Sequence, residues 1–297
     1  MRLLGQRVYS LKTYSNFCKN HESISDNFDV AEMLIQKELD KGHFKGPFDT
    51  PPFPNFHVSP LKLVPKRTEG TFRLIHNLSF HYDETAVNHN ITPENSPVQY
   101  ANIQDAIENI QNIGQGCYMA KSDIVQAFRI IPINNKCFHL LGFIFKGQYY
   151  YDTCLAMGAS CSCKIFEEFY TALQWILQNK FKIEHCVHIL DDFLFLSQSY
   201  LLSAHYLKCW TTLASDIGIP IAWERTTDPS QICIFARVEL NSADMTASLP
   251  FEKLQRYTFR VRELMVCRKT TSENMQSVIG CLQWATSVVL PGKAFLR

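Results

Sequence analysis

Two adjacent acidic residues, Asp191 and Asp192, lie between short apolar runs and constrain the fold more than any other feature of this sequence. The runs, 186–190 and 193–196, contain β-branched and aromatic residues, which is typical of buried strands. The pattern predicts a β-hairpin whose tight turn carries both acids. Two like charges side by side repel each other, so a bound divalent cation is one explanation of the pair. The frequent use of Asp in ordinary turns is the other.

The composition limits the classes of protein that this chain can belong to. The 297 residues are 46% hydrophobic, which is enough for one large domain or two smaller ones. The net charge is +1, so only a local basic surface would indicate nucleic-acid binding. The 11 cysteines follow no regular framework, and no signal peptide or long apolar run is recognisable. We therefore expect free thiols, no membrane association and an intracellular location in the cytoplasm, the nucleus or both.

The apolar periodicity divides the chain into a polar, poorly fixed lead-in at 1–28, a mixed α/β region at 29–240 and a helical section at 241–297. Helices are predicted at 29–41, 98–113, 163–179, 200–217, 251–266 and 271–289. Strands are predicted at 61–64, 71–75, 117–123, 140–145, 148–152, 219–223, 232–235 and 238–240.

A third acid, Asp123, ends one of the predicted strands. If that strand pairs in one sheet with the hairpin of Asp191 and Asp192, the acids meet at the same edge. Carboxylate oxygens are the ligands that Mg²⁺ prefers. Two such ions about 3.5–4 Å apart can activate an attacking hydroxyl and stabilise the leaving oxygen in phosphoryl transfer.

Phosphoryl transfer also needs cations that bind the triphosphate. Lys66 and Arg73, in the predicted hairpin at 61–75, are the candidates. Ordinary solvated charges in an exposed turn are the alternative interpretation of this loop. Asp152 is expected to be a solvated charge.

Five segments, in this order along the chain, resemble the sequence motifs of reverse transcriptases. They are the fingers hairpin at 66–73, which precedes the stretch 74–79, motif A at 123–128, motif B at 155–158, motif C at 189–192 and motif D at 218–226. Further details are closest to the DIRS-type retroelements, whose polymerase is translated with an RNase H and a tyrosine recombinase. These details are at 46–48, 73–79, 140–143, 190–194 and 291–297.

The resemblance implies an α+β right-hand polymerase fold. Fingers and palm would interleave over 29–240 around an antiparallel sheet, and 241–297 would be helical thumb, ending before an RNase H. The implied activity is that of a nucleotidyltransferase, an RNA-directed DNA polymerase that adds deoxynucleotides to a primer 3′ end. Its implied partners are an RNA or DNA template with primer, deoxynucleoside triphosphates and two Mg²⁺ ions, or Mn²⁺ in their place. RNase H and recombinase modules would belong to the parent polyprotein.

The family's catalytic residues carry over onto matching positions. Asp123 and Asp191 would be metal ligands, with Asp192 as a supporting carboxylate. Phe128 would lie under the sugar of the incoming nucleotide and exclude a 2′-hydroxyl by its size. A core aromatic is the alternative for Phe128 considered alone.

Four substrate-binding residues carry over in the same way. Lys66 and Arg73 would hold the triphosphate. Gly158 would let the backbone approach the substrate, with an ordinary helix-start glycine as the alternative. Arg225 stands where the family usually has a Lys that is proposed to protonate pyrophosphate. Because Arg stays protonated, it would stabilise charge rather than donate a proton.

Three departures from the family pattern lie near these motifs. Ile189 replaces the usual Tyr, 156–157 replace a Pro followed by Gln or Phe, and 235–237 replace Phe-Leu-Gly. They motivate a second hypothesis, a catalytically weakened remnant of the polymerase fold that binds nucleic acid or a protein partner without synthesis. A metal-dependent nuclease or phosphatase is a third, but it leaves Phe128, the 66–73 hairpin and the helical tail unexplained.

Overall fold

The computed structural model describes residues 18–66, 70–92, 97–267, 269–286, 288–289, 292, 294 and 296. The chain divides into two compact units, each built from two stretches of sequence. The first unit comprises Met1–Gln99 and Gln126–Phe169, and the second comprises Tyr100–Val125 and Tyr170–Arg297. No helix among the described residues is long and apolar enough to cross a membrane.

The described residues alternate between helices and short strands, as the apolar periodicity predicts. The helices are α1 (Glu22–Asp26), α2 (Phe28–Asp40), α3 (Ile103–Ile113), α4 (Ser162–Asn179), α5 (Tyr200–Asp216), α6 (Phe251–Val266) and α7 (Ser272–Ala285). The strands are β1 (Phe44–Phe48), β2 (Leu61–Pro65), β3 (Phe72–His76), β4 (Tyr118–Ser122), β5 (Gly142–Phe145), β6 (Gln148–Asp152), β7 (Cys186–Ile189), β8 (Asp192–Ser197), β9 (Thr227–Ser230), β10 (Ile232–Phe235), β11 (Val238–Asn241) and β12 (Thr246–Ser248).

The first unit contains a three-stranded antiparallel sheet, in the order β1-β6-β5, and the hairpin β2-β3. Helices α1 and α2 bury an apolar face with both sheets. The members of this core are Ile24, Ala31, Ile35, Phe44, Leu61, Leu63, Phe143, Phe145 and Tyr150. The expected poorly fixed lead-in is therefore wrong for its last part, because α1 buries Ile24 and His21 N donates to Leu61 O over 3.0 Å. Residues 1–17 of that lead-in lie outside the described residues.

The second unit is organised around a four-stranded antiparallel sheet in the order β7-β8-β4-β9, beside a smaller sheet β10-β11-β12. Helix α5 covers the larger sheet with Trp210, which is fully buried and stacks on Phe193 at 4.4 Å between ring centroids. Helix α3 starts at Ile103 and not at 98, because Asn102 forms a capping box there. Helix α7 likewise begins after Thr271, whose side chain accepts from Asn274 N.

Two predictions about the strands of the second unit are wrong. The described residues form no strand over 219–223. Only Ile221 makes an isolated bridge, to Ile124, and Trp223–Arg225 form a 3-10 turn. Strand β9 was not predicted, because it contains Asp228 and Pro229, both of which are rare inside strands. As an outer strand that pairs only with β4, it tolerates the missing N–H of proline.

Candidate active site

The paired acids lie at the tip of the hairpin formed by β7 and β8, as predicted. Ile189 pairs with Asp192, so the two-residue turn consists of Leu190 and Asp191. Leu190 adopts φ 58°, a left-handed conformation that is uncommon for a leucine. Of the two acids, Asp191 therefore belongs to the turn, whereas Asp192 is the first residue of β8. The prediction that the turn carries both acids is corrected in this detail.

Pairing of β4 with β8 brings the third acid to the same end of the sheet. Ser122 lies opposite Phe193, so the next step of the register sets Asp123 beside Asp192. Ser122 is fully buried, and its Oγ accepts a 2.9 Å hydrogen bond from Trp210 Nε1, which fixes this end of β4. The predicted meeting of the acids through two paired strands is thus present in the backbone register.

The three carboxylates crowd each other electrostatically. Burial, together with the charges of Asp192 and Asp191, raises the pKa of Asp123 to about 6, and Arg225 opposes the shift. Burial also raises the pKa of Asp192, with Lys121 opposing. Lys121 Nζ lies 3.7 Å from Asp192 Oδ1, which is an ion pair but too long for a hydrogen bond.

Two oxygens of this cluster fit a cation by their chemistry. Asp123 Oδ1 and Asp192 Oδ1 are buried and make no hydrogen bond to any described residue. A buried acceptor without a donor costs free energy, and a divalent cation relieves both this cost and the repulsion. As the side chains stand, no group of three or more His, Cys, Asp or Glu in the described part of the chain is already arranged to hold a metal ion.

Arg225 occupies the remaining oxygen of Asp123. The 3-10 turn Trp223–Arg225 points the guanidinium at the carboxylate, with Arg225 Nη1 2.5 Å from Asp123 Oδ2. The arginine side chain is 48% exposed and that of Asp123 is 8% exposed. The predicted substrate-binding Arg225 thus contacts a predicted metal ligand.

The predicted triphosphate-binding residues belong to the first unit. Arg73 lies in β3 opposite Val64, and Lys66 follows β2, with its N donating to Thr71 O over 2.7 Å. Residues 67–69 of the connecting loop lie outside the described residues. Lys66 and Arg73 both line a cavity of about 250 Å³. This placement agrees with an anion-binding role.

The same cavity is lined by an ion network that the sequence reasoning missed. Arg129 lies between Asp152 Oδ2, at 2.7 Å, and Glu38 Oε2, at 3.1 Å. Asp152 is only 2% exposed, so its interpretation as a solvated charge is wrong. The signal was present in β6, since Asp152 follows the buried Tyr150 by two residues and shares its face of the strand.

Phe128 and Gly158, also in the first unit, have close packing partners. The Phe128 ring stacks on Phe166 with 4.3 Å between centroids and an interplanar angle of 10°. At Gly158 a Cβ atom would collide with the carbonyl oxygen of His76, and the Gly158 carbonyl accepts from Asn88 Nδ2 over 2.8 Å. Packing within the first unit therefore explains an aromatic residue at 128 and a glycine at 158, independently of the predicted substrate roles.

No family model and no curated protein matches this sequence. Solved structures do match. The foamy viral protease-reverse transcriptase in complex with double-stranded DNA gives a TM-score of 0.69 at 16% identity, covering 98% of this chain and 46% of that chain. The same protein in complex with an RNA/DNA hybrid gives 0.71 at 14% identity, covering 97% of this chain and 36% of that chain.

This chain therefore spans less than half of the length of those two structures. The predicted mixed fold with antiparallel sheets is confirmed as similar to that of a reverse transcriptase. At this level of identity the likeness shows the fold alone.

Proposed function

We propose that this chain is the polymerase region of an RNA-directed DNA polymerase of the DIRS type, with a right-hand arrangement of fingers, palm and thumb. The observation that carries the proposal is the convergence of Asp123, Asp191 and Asp192 at the end of one sheet, with buried oxygens that lack donors. It occurs in a chain whose fold is similar to that of a reverse transcriptase.

Asp123 and Asp191 would bind two Mg²⁺ ions, with Asp192 as the supporting carboxylate. Bound Mg²⁺ would supply activation of the primer 3′-hydroxyl and stabilisation of the leaving oxygen. The pKa of Asp123, about 6, means that this side chain is largely ionised and able to accept a cation at pH 7 and above.

Residues of the first unit would supply the contacts to the incoming deoxynucleoside triphosphate. Lys66 and Arg73 would bind its phosphates from the rim of the cavity that they share. The half-buried Phe128, held by its stacking on Phe166, would exclude a 2′-hydroxyl. Gly158 would allow the backbone to approach the substrate. An RNA or DNA template with its primer is the proposed nucleic-acid partner, and RNase H and recombinase modules are the proposed companions in a parent polyprotein.

Primer extension on an RNA template with Mg²⁺ tests this proposal. We expect incorporation by the wild type and a loss of at least about 1,000-fold in Asp191→Asn, since one metal ligand contributes several kcal/mol at the transition state. Asp216→Asn is the matched control, because Asp216 is an exposed acid of the same unit, in α5. Equal activity of wild type and Asp191→Asn, in protein shown to be folded, would contradict the enzyme proposal.

The second hypothesis predicts a different result in the same samples. A remnant that only binds nucleic acid would retain template–primer with salt-dependent affinity, show no incorporation, and bind equally well as Asp191→Asn. The departures at Ile189, Ala156 and Ala236 motivate this arm of the test.

A further inference from the structure

The two oxygens of Asp123 have different surroundings. Oδ2 is held by Arg225 Nη1 at 2.5 Å, while Oδ1 is buried and accepts no hydrogen bond from the described residues. A cation needs a carboxylate lone pair that faces it, and a guanidinium offers donors only. Arg225 therefore holds one oxygen of a carboxylate whose other oxygen, Oδ1, is open to a divalent cation, so that the two positive charges share one carboxylate.

Lys121, the other positively charged residue beside the three acids, has less freedom to move than Arg225. The Lys121 side chain is 16% exposed and starts from strand β4, with Nζ 3.7 Å from Asp192. The Arg225 side chain is 48% exposed and starts from a surface turn. Transfer of the Arg225 guanidinium to water costs little on the arginine side, because the group is already partly hydrated. Arg225 is thus the cation that can leave.

The backbone that carries Arg225 is nevertheless fixed against the same strand. Ala222 N donates to Asp123 O over 2.8 Å. Thr226 Oγ1 donates to Ala222 O over 3.0 Å and lies 3.3 Å from Ser122 Oγ. These bonds hold both ends of the turn, so movement of Arg225 is confined to its side chain, and the guanidinium stays within reach of the site.

We propose that Arg225 is an internal counterion that competes with the divalent cation for the negative charge of Asp123, and that a cation at Oδ1 weakens the hold of the guanidinium on Oδ2. This inference rests on the proposed function, since it takes Asp123 as a metal ligand. In the metal-free protein Arg225 neutralises one of three crowded carboxylates and keeps the end of the sheet stable. The same contact lowers the affinity for the cation.

Binding of Mn²⁺, followed by the electron paramagnetic resonance signal of the free ion, tests the inference without nucleic acid or activity. We expect Arg225→Gln to bind Mn²⁺ about fivefold more tightly than wild type, the equivalent of an ion pair worth about 1 kcal/mol. Arg225→Lys retains the positive charge and should stay close to wild type. Lys208→Gln is the matched control, because it removes the same charge from an exposed position in α5 and should leave the affinity unchanged.

Asp123→Asn separates failure of the inference from failure of the proposed function. If Arg225→Gln binds no more tightly than Lys208→Gln while Asp123→Asn weakens binding, the metal site stands and the competition is refuted. If no variant and no wild-type sample binds Mn²⁺ at millimolar concentration, both ideas are overturned. Circular dichroism establishes that each sample is folded, and Arg225→Ala serves as a second neutral variant.

Discussion

Each of the two units places an arginine against buried carboxylates. In the first unit Arg129 holds both Asp152, at 2.7 Å, and Glu38, at 3.1 Å, with a side chain that is 12% exposed. In the second unit Arg225 holds Asp123 at 2.5 Å with a side chain that is 48% exposed. The largely buried Arg129 cannot leave without stranding Asp152, whereas the half-exposed Arg225 is paired with one buried acid, Asp123, and with the exposed Glu224 at 3.5 Å, and it can turn to water.

The pKa values of Glu38 and Asp123 shift in opposite directions, although burial raises the pKa of Asp152 as it raises that of Asp123. Burial raises the pKa of Glu38, but the His43 hydrogen bond and the Arg129 charge outweigh burial and hold it below its ordinary value. Burial and two neighbouring acids raise the pKa of Asp123 to about 6 despite Arg225. The charge of Glu38 is thus stabilised by residues of the first unit, whereas Asp123 in the second unit would be stabilised by an added cation.

Removal of Arg129 should give the largest loss of stability. Arg129→Met leaves the buried Asp152 without its cation and removes one of the partners of the partly buried Glu38, and we expect a decrease of about 3–5 kcal/mol in the free energy of unfolding of the first unit. All four tryptophans, at 175, 210, 223 and 284, belong to the second unit. Hydrogen exchange, resolved by peptide and measured against urea, is therefore the appropriate measurement for the first unit.

A variant in which all three charged residues of the Arg129 network are neutral provides the control for Arg129→Met. The triple variant Glu38→Gln, Arg129→Met, Asp152→Asn should recover most of the loss, because it strands no charge. A single variant that unfolds no more readily than wild type would mean that Arg129 is not structural, and the contrast between the two arginines would disappear.

Local pattern predicted much of the secondary structure, because apolar spacing and caps act within a few residues. Helix α6 has the predicted bounds, Phe251–Val266. Strand β9 was missed because its pairing with β4 overrides the poor strand propensity of Asp228 and Pro229. Short-range reasoning also missed α1, whose few residues are fixed by burial of Ile24 beneath β2.

The site was predictable in its residue types but not in its contacts. Three acids on two strands could be chosen from the sequence, because hard oxygen ligands and strand ends are visible there. The register that sets Ser122 opposite Phe193 depends on long-range pairing. The ion pair of Asp123 with Arg225 depends on how one surface turn docks on β4, and no local pattern encodes that distance.

Glu38 and Asp123 should contribute to the pH dependence of stability with opposite signs. The raised pKa of Asp123 gives stability that is full below its ordinary value of 3.8 and is lost as the pH rises through about 6. We expect the difference in free energy of unfolding between wild type and Asp123→Asn to fall by about 1–2 kcal/mol over this window in tryptophan-monitored urea unfolding, because both proteins share the shifted pKa values of Asp192 and His188. The lowered pKa of Glu38 gives stability that is present above its ordinary value of 4.5 and is lost as the pH falls below it. Hydrogen exchange should show this loss in wild type but not in Glu38→Gln. If the contributions of Glu38 and Asp123 to the free energy of unfolding changed with pH in the same direction, the contrast between the two sites would be refuted.

The smallest effect is expected for Arg225, and its size bears on whether the guanidinium can move. Arg225→Gln should change the free energy of unfolding of the second unit by less than about 1 kcal/mol in metal-free buffer at pH 7, since a half-exposed ion pair contributes little. Tryptophan-monitored urea unfolding measures this change, with Lys208→Gln as the control for net charge. A loss as large as that of Arg129→Met would mean that the Arg225 contact is as fixed as the buried network. Arg225 would then be part of the fold, and displacement by a cation would cost more than a half-exposed position allows.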